Sequence, residues 1–191
     1  MKTRQFLTST NFATLLNLPL LCTGNKYQRF LPYYILEIPV SQGNLLAELP
    51  ILSTEWSVSF FIRLIDEEPV SSSILHLTTG DRGGSYDNKM PNLYRVKNTD
   101  KIQIVYDVNG IQAVQLFRYE FVRDEKTKVE IHQRYVKDGI YRVYIMVDNL
   151  EVYSTVNNDA RQFHNVKIYA GNPFAQSAIA FISDFKYTNY L

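Results

Sequence analysis

From Lys128 to Ala170 the apolar residues recur at every second position. Val129, Ile131, Gln133 and Tyr135 fall on one face of an extended chain. Tyr141, Val143, Ile145 and Val147 form the next such row, and Leu150, Val152, Ser154 and Val156 the third. A period of two is the signature of strands with one buried face. Lys137-Asp138-Gly139 and Asp148-Asn149 separate the rows, and these residues tolerate the positive φ that tight hairpins need. The stretch predicts an antiparallel meander, with Val143, Ile145, Val147 and Val152 inward and Tyr144, Met146 and Tyr153 outward.

The same alternation organises the rest of the chain. Trp56, Val58, Phe60 and Ile62 alternate with Ser57, Ser59, Phe61 and Arg63, a strand with one apolar face. Strand-like pieces precede it at Tyr33–Ile38 and Asn44–Leu52, broken by Pro39, Gly43 and Pro50. Residues 71–80 give the next strand after a turn over Glu67–Ser73. A loop rich in Gly and Asp runs from Gly80 to Pro91. Asn109-Gly110 between two alternating runs is a strong hairpin signal. Residues Tyr119–Lys126 are expected to turn, and strands follow in HNVKIYA and IAFISDFKYTNY. Ten to twelve strands and no amphipathic helix of ten residues predict an all-β domain, closed as a two-sheet antiparallel sandwich or jelly roll.

Composition narrows the function classes. The 191-residue chain is 46% apolar and 20% charged, which suits one soluble domain with a substantial core. A net charge of +1 provides no basic field for nucleic acid. No run approaches the roughly 18 consecutive apolar residues of a membrane span. Cys22 is the single cysteine, so no internal disulfide or cysteine metal site forms. The 14 tyrosines suit pleated surfaces and also supply amphipathic rings for binding. Residues 1–24 combine a basic start, an apolar patch from Ala13 to Cys22 and small residues to Gly24, the marks of a signal peptide. Asn17 and Pro19 interrupt that patch, and an ordinary N-terminal strand or irregular segment is the competing reading. The jelly-roll domain would then occupy residues 25–191, and secretion is the expected localisation.

The segments WSVSFFIR, SSILHLTTG, YRVYIMVDNLEVYSTVNNDARQFHNVKIYAGNPF and FISDFKY, in that order, resemble a laminin-G-like module of the concanavalin A-like lectin/glucanase superfamily. The resemblance covers about Leu45 to Tyr187. It implies a jelly roll with a binding face and rim loops, ligands that are glycans or extracellular proteins, and sometimes calcium. Asn172 and Phe174 stand where the family has Asp and Trp, and the core strands lack the cysteines of many relatives.

Catalysis finds little support in the residues. A retaining glycosidase needs two carboxylates about 5–5.5 Å apart, and no alternating Glu-x-Asp-x-Glu set is present. Asp66-Glu67-Glu68 are consecutive before Pro69, and Asp124-Glu125 sit among lysines. No Gly-x-Ser-x-Gly elbow occurs. His76 lies opposite Leu75 and Leu77 and is expected to be a hydrogen-bonded structural histidine, with His132 and His164 on the surface. For calcium, which takes six to eight oxygens, the candidates are Asp81, Asp87 and Asn88 in one loop and Asn172 in another. For a glycan they are Tyr94, Tyr106, Tyr144 and Tyr153 as platforms, with Arg82, Tyr86 and Asn88 at the rim. The resulting expectation is a non-catalytic extracellular recognition module for carbohydrate or protein. The rivals are a self-associating structural or adhesive sandwich and a divergent glycan hydrolase.

Overall fold

The structure, a computed structural model, describes residues 27–28, 36–80 and 89–190. In that part the chain forms thirteen strands and no helix. These are β1 (Tyr27–Gln28), β2 (Ile38–Pro39), β3 (Asn44–Leu52), β4 (Glu55–Leu64), β5 (Ser72–Thr78), β6 (Asn92–Arg95) and β7 (Lys101–Val108). They continue with β8 (Ile111–Glu120), β9 (Thr127–Lys137), β10 (Ile140–Val147), β11 (Leu150–Asn157), β12 (Phe163–Ala170) and β13 (Ala180–Tyr190). One sheet runs β1-β13-β4-β9-β10-β11, with β2 also on β13. The other runs β3-β12-β5-β6-β7-β8. Every strand pairing within the two sheets is antiparallel.

The alternation seen in the sequence maps onto this arrangement. Along β4, odd positions are half-buried while Trp56, Val58, Phe60, Ile62 and Leu64 are buried. They meet Val129 and Ile131 of β9, Val143 and Ile145 of β10, and Leu49, Leu75, Leu93, Ile104 and Ile168 of the opposite sheet in one core. The hairpin tips carry the backbone their residues favour. Asn109 and Gly110 have φ of 55° and 72°, Asp138 and Gly139 50° and 75°, Asp148 and Asn149 48° and 67°. Two successive left-handed residues match the twist of the flanking strands, and only Gly, Asn and Asp adopt that conformation at low cost.

Three expectations are revised. Of Tyr33–Ile38 only Ile38 is in a described strand, where it pairs with Ile182; residues 33–35 lie outside the described part. β8 continues to Glu120, so the turn before β9 is shorter than Tyr119–Lys126. The β10–β11 ladder slips, with Ile145 opposite Tyr153 but Met146 opposite Glu151. Val152 is therefore the extra residue of a bulge, a local irregularity that strict alternation cannot foresee. Tyr153 shares the face of Ile145 and packs against the core, not in the outward row with Tyr144.

Candidate functional site

The outer face of a sandwich sheet ordinarily meets water, with polar side chains extended into it. The six-stranded sheet departs from this pattern at β5. All seven residues of that strand are buried, including Ser73, His76 and Thr78 on the side away from the core. A ladder irregularity between Ser73 and Leu75 sets Ser73 opposite Tyr94 and His76 opposite Asn92. Since Asn92 and Tyr94 are two apart on β6, all four side chains share the outer face. Tyr169 of β12 flanks His76 on the other side, and Gln103 of β7 stands beside Tyr94.

Hydrogen bonding within this row is incomplete. The Asn92 amide donates to the Tyr94 hydroxyl at 2.6 Å. The Asn172 side chain also hydrogen-bonds that hydroxyl, and its own Oδ1 accepts from the Phe174 backbone N–H at 2.7 Å. With the Asn92 amide donating to its oxygen, Tyr94 keeps its own O–H hydrogen for a further acceptor. His76 Nδ1, Asn92 Oδ1, Ser73 Oγ and Ser177 Oγ are buried without hydrogen-bond partners among the described residues. Such groups cost about 1–3 kcal/mol each when unpaired, so they call for an explanation. Burial pushes the His76 pKa down to about 4, so the ring is neutral at pH 7. Burial likewise raises the Tyr94 pKa, keeping the phenol a donor. Among the described residues the row offers neutral donors and acceptors, a chemistry suited to hydroxyl groups.

The expected site residues separate into groups. Tyr94 and Asn172 do come together, joined by His76 and Asn92. Asp81, Arg82, Tyr86, Asp87 and Asn88 lie outside the described residues; in sequence they connect β5 to β6, the two strands that carry the row. Tyr144 sits on the outer face of the other sheet, its ring stacked on His132 with centroids 4.5 Å apart and planes at 7°. Tyr106 is no platform. It is 3% exposed, edge-on to Trp56, and donates to Gln133 between the sheets. His132 is half-buried with Nε2 unpartnered, whereas His164 is exposed as expected.

Calcium finds no assembled ligand set among the described residues. No three His, Cys, Asp or Glu side chains stand together there, and the Asn172 oxygen is already engaged by the Phe174 N–H. The sequence reading placed Glu68 in a turn with Asp66 and Glu67, ahead of Pro69. It is 1% exposed, its carboxylate accepting from the Ile179 N–H and Ser72 Oγ, with Arg95 Nη1 at 3.8 Å.

No protein-family model matches the chain, and no curated protein matches it. Among solved structures it is similar to the receptor binding domain of botulinum neurotoxin D. That likeness has a TM-score of 0.56 and 13% identity, over 88% of this chain and 44% of that one. The botulinum neurotoxin type G receptor binding domain gives 0.51 and 12%, over 86% and 44%. Trypanosoma rangeli sialidase in complex with sialic acid gives 0.51 and 15%, over 72% and 21%. The chain spans less than half the length of each. At such identities the likeness defines the fold, a two-sheet antiparallel β-sandwich.

Proposed function

We propose that this chain is a non-catalytic, lectin-like recognition module, secreted, that binds a neutral saccharide over the His76–Asn92–Tyr94 row. The observation that carries the reading is the set of unpartnered polar atoms beside the Tyr94 hydroxyl on an outer sheet face. Sugar hydroxyls both donate and accept. They would meet the half-buried Tyr94 hydroxyl and take its hydrogen, while the half-buried Tyr169 ring offers an apolar edge. The laminin-G-like segments and the solved neighbours, two receptor binding domains and a sialidase in complex with sialic acid, support the same class.

A glycan array with the full chain, with and without EDTA, tests it. Binding that falls on substituting Tyr94→Phe or Asn92→Ala supports the row. Absence of binding in both conditions removes the lectin reading, and loss only with EDTA restores calcium through residues such as Asp81 and Asp87. Sedimentation of the non-binding chain as a concentration-dependent oligomer would favour the adhesive alternative. Release of reducing sugar from a β-glucan would favour the hydrolase. Sequencing the N-terminus of secreted material tests the signal peptide, and an intact Met1 ends that part of the proposal.

A further inference from the structure

The His76 row continues sideways across its sheet. Tyr94 on β6 stands opposite Gln103 on β7, and Gln103 stands opposite Arg118 on the edge strand β8. Opposed residues of antiparallel strands share a face, so all three side chains lie on the outer face with His76 and Asn92. Gln103 and Arg118 are joined there, the Arg118 Nη2 donating to Gln103 Oε1 at 2.8 Å in an exposed position. His76 and Asn92 are buried, Tyr94 and Gln103 half-buried and Arg118 exposed, so the row opens toward β8.

The open end has donors to spare. Neither Gln103 nor Arg118 makes another hydrogen bond or an ion pair among the described residues. With its oxygen engaged, Gln103 keeps the Nε2 hydrogens, and Arg118 keeps those of Nε and Nη1. Every other described arginine is paired with a carboxylate. On one flank Lys101 and Glu120 stand opposite each other, their charged groups 3.9 Å apart. On the other flank Val105 lies between Asn92 and Gln115. Adjacent strands are about 5 Å apart, so the row from His76 on β5 to Arg118 on β8 covers roughly 15 Å, the length of about three pyranose units in an extended chain.

We propose that the site takes a neutral oligosaccharide laid across the strands, with Gln103 and Arg118 as a further subsite beyond Tyr94. The inference rests on the saccharide reading of the row and adds the length and direction of its ligand. One sugar unit takes the Tyr94 phenol hydrogen, and the next lies over Gln103 and Arg118. Adjacent ring hydroxyls present their oxygens to the Gln103 amide and to the planar Arg118 fork, whose donors are set in a fixed geometry.

Titration calorimetry of the full chain with cello- and laminari-oligosaccharides, from glucose to the hexamer, tests the proposal. Affinity rises about tenfold or more from glucose to the trimer in at least one series and then levels off. Gln103→Ala or Arg118→Gln, both at the accessible end of the row, removes most of that gain. Asn92→Ala weakens binding at every length. In the unaltered chain the Gln103 Nε2–H and Arg118 Nε–H resonances shift with the trimer, a readout that needs no variant. Equal affinity at every length, or unmoved Gln103 and Arg118 resonances, overturns the further subsite and leaves the row standing. Binding at no length in either series overturns both.

Discussion

Tyr106 on β7 donates its hydroxyl to Gln133 on β9 across 2.9 Å, so one hydrogen bond joins the two sheets inside the core. Gln133 is fully buried and bonded through both ends of its amide. Its Oε1 also accepts from Asn157 at 2.8 Å, and its Nε2 donates to the Thr54 carbonyl at 2.8 Å. Gln133→Leu strands the Tyr106 hydroxyl and the Asn157 amide, and destabilises by about 2–4 kcal/mol. Tyr106→Phe leaves Gln133 its other partners and costs about 1 kcal/mol. The midpoints of urea unfolding compare the two, and equal losses would deny the bridge its central place.

His76 makes stability depend on pH. Its folded pKa of about 4 lies below the ordinary 6.5, so the unfolded chain binds more protons between those values. Stability from this group is full above about pH 6.5 and is lost as pH falls toward 4, about 3 kcal/mol in all. His132, also lowered by burial, acts with the same sign. His76→Gln should flatten the profile between those pH values while His132 retains a smaller slope, as followed by thermal unfolding across pH. An unchanged slope in that variant contradicts the buried neutral ring.

Glu37 acts with the same sign at lower pH. Its hydrogen bonds with Arg63, backed by Lys126, hold its pKa down to about 2. Because the folded value lies below the unfolded one near 4.5, the stabilisation is present above about pH 4.5 and fades as pH falls toward 2. The pair is a quarter exposed, so its contribution is small and falls with salt. Glu37→Gln therefore lowers the unfolding midpoint slightly at pH 7 in low salt and not at pH 2.

Gly171 has no substitute. Its φ is +101°, and an added Cβ would lie 2.4 Å from the Ser41 carbonyl oxygen and 2.5 Å from Ser177 Oγ. Gly171→Ala combines backbone strain with a clash against backbone, and should destabilise by about 2 kcal/mol or more. Because this glycine starts the loop that carries Asn172, the variant should also weaken any ligand held at Tyr94. Gly139→Ala, with open space around it, bears only the strain of φ +75° and should lose less. Calorimetric unfolding of the two variants checks the order.

The buried guanidinium of Arg95 is fully enclosed, with Glu68, Asp100, and the carbonyls of Asp66 and Thr99 around it. Arg95→Met leaves the buried Glu68 without its cation and costs about 3–5 kcal/mol. Glu68→Gln keeps a hydrogen-bonding group of the same shape and costs less. Denaturant titration at pH 7 distinguishes the two, and a mild Arg95→Met would show the cluster to be dispensable.

Local chemistry alone determined most of the architecture. Alternation placed the buried faces of β4, β9 and β10, and Asn-Gly, Asp-Gly and Asp-Asn placed the hairpins, because side-chain period and turn conformation act over a few neighbouring residues. Tertiary structure decided what depends on register and on the opposite sheet. The slip at Val152 turned Tyr153 inward, and Tyr106 was claimed by Gln133, 27 residues away. The bulge at β5 aligned Ser73 and His76 with Tyr94 and Asn92, and strand pairing alone set Arg134 against Arg142. None of these pairings leaves a trace in a single strand, since one residue of slip exchanges the faces of everything beyond it.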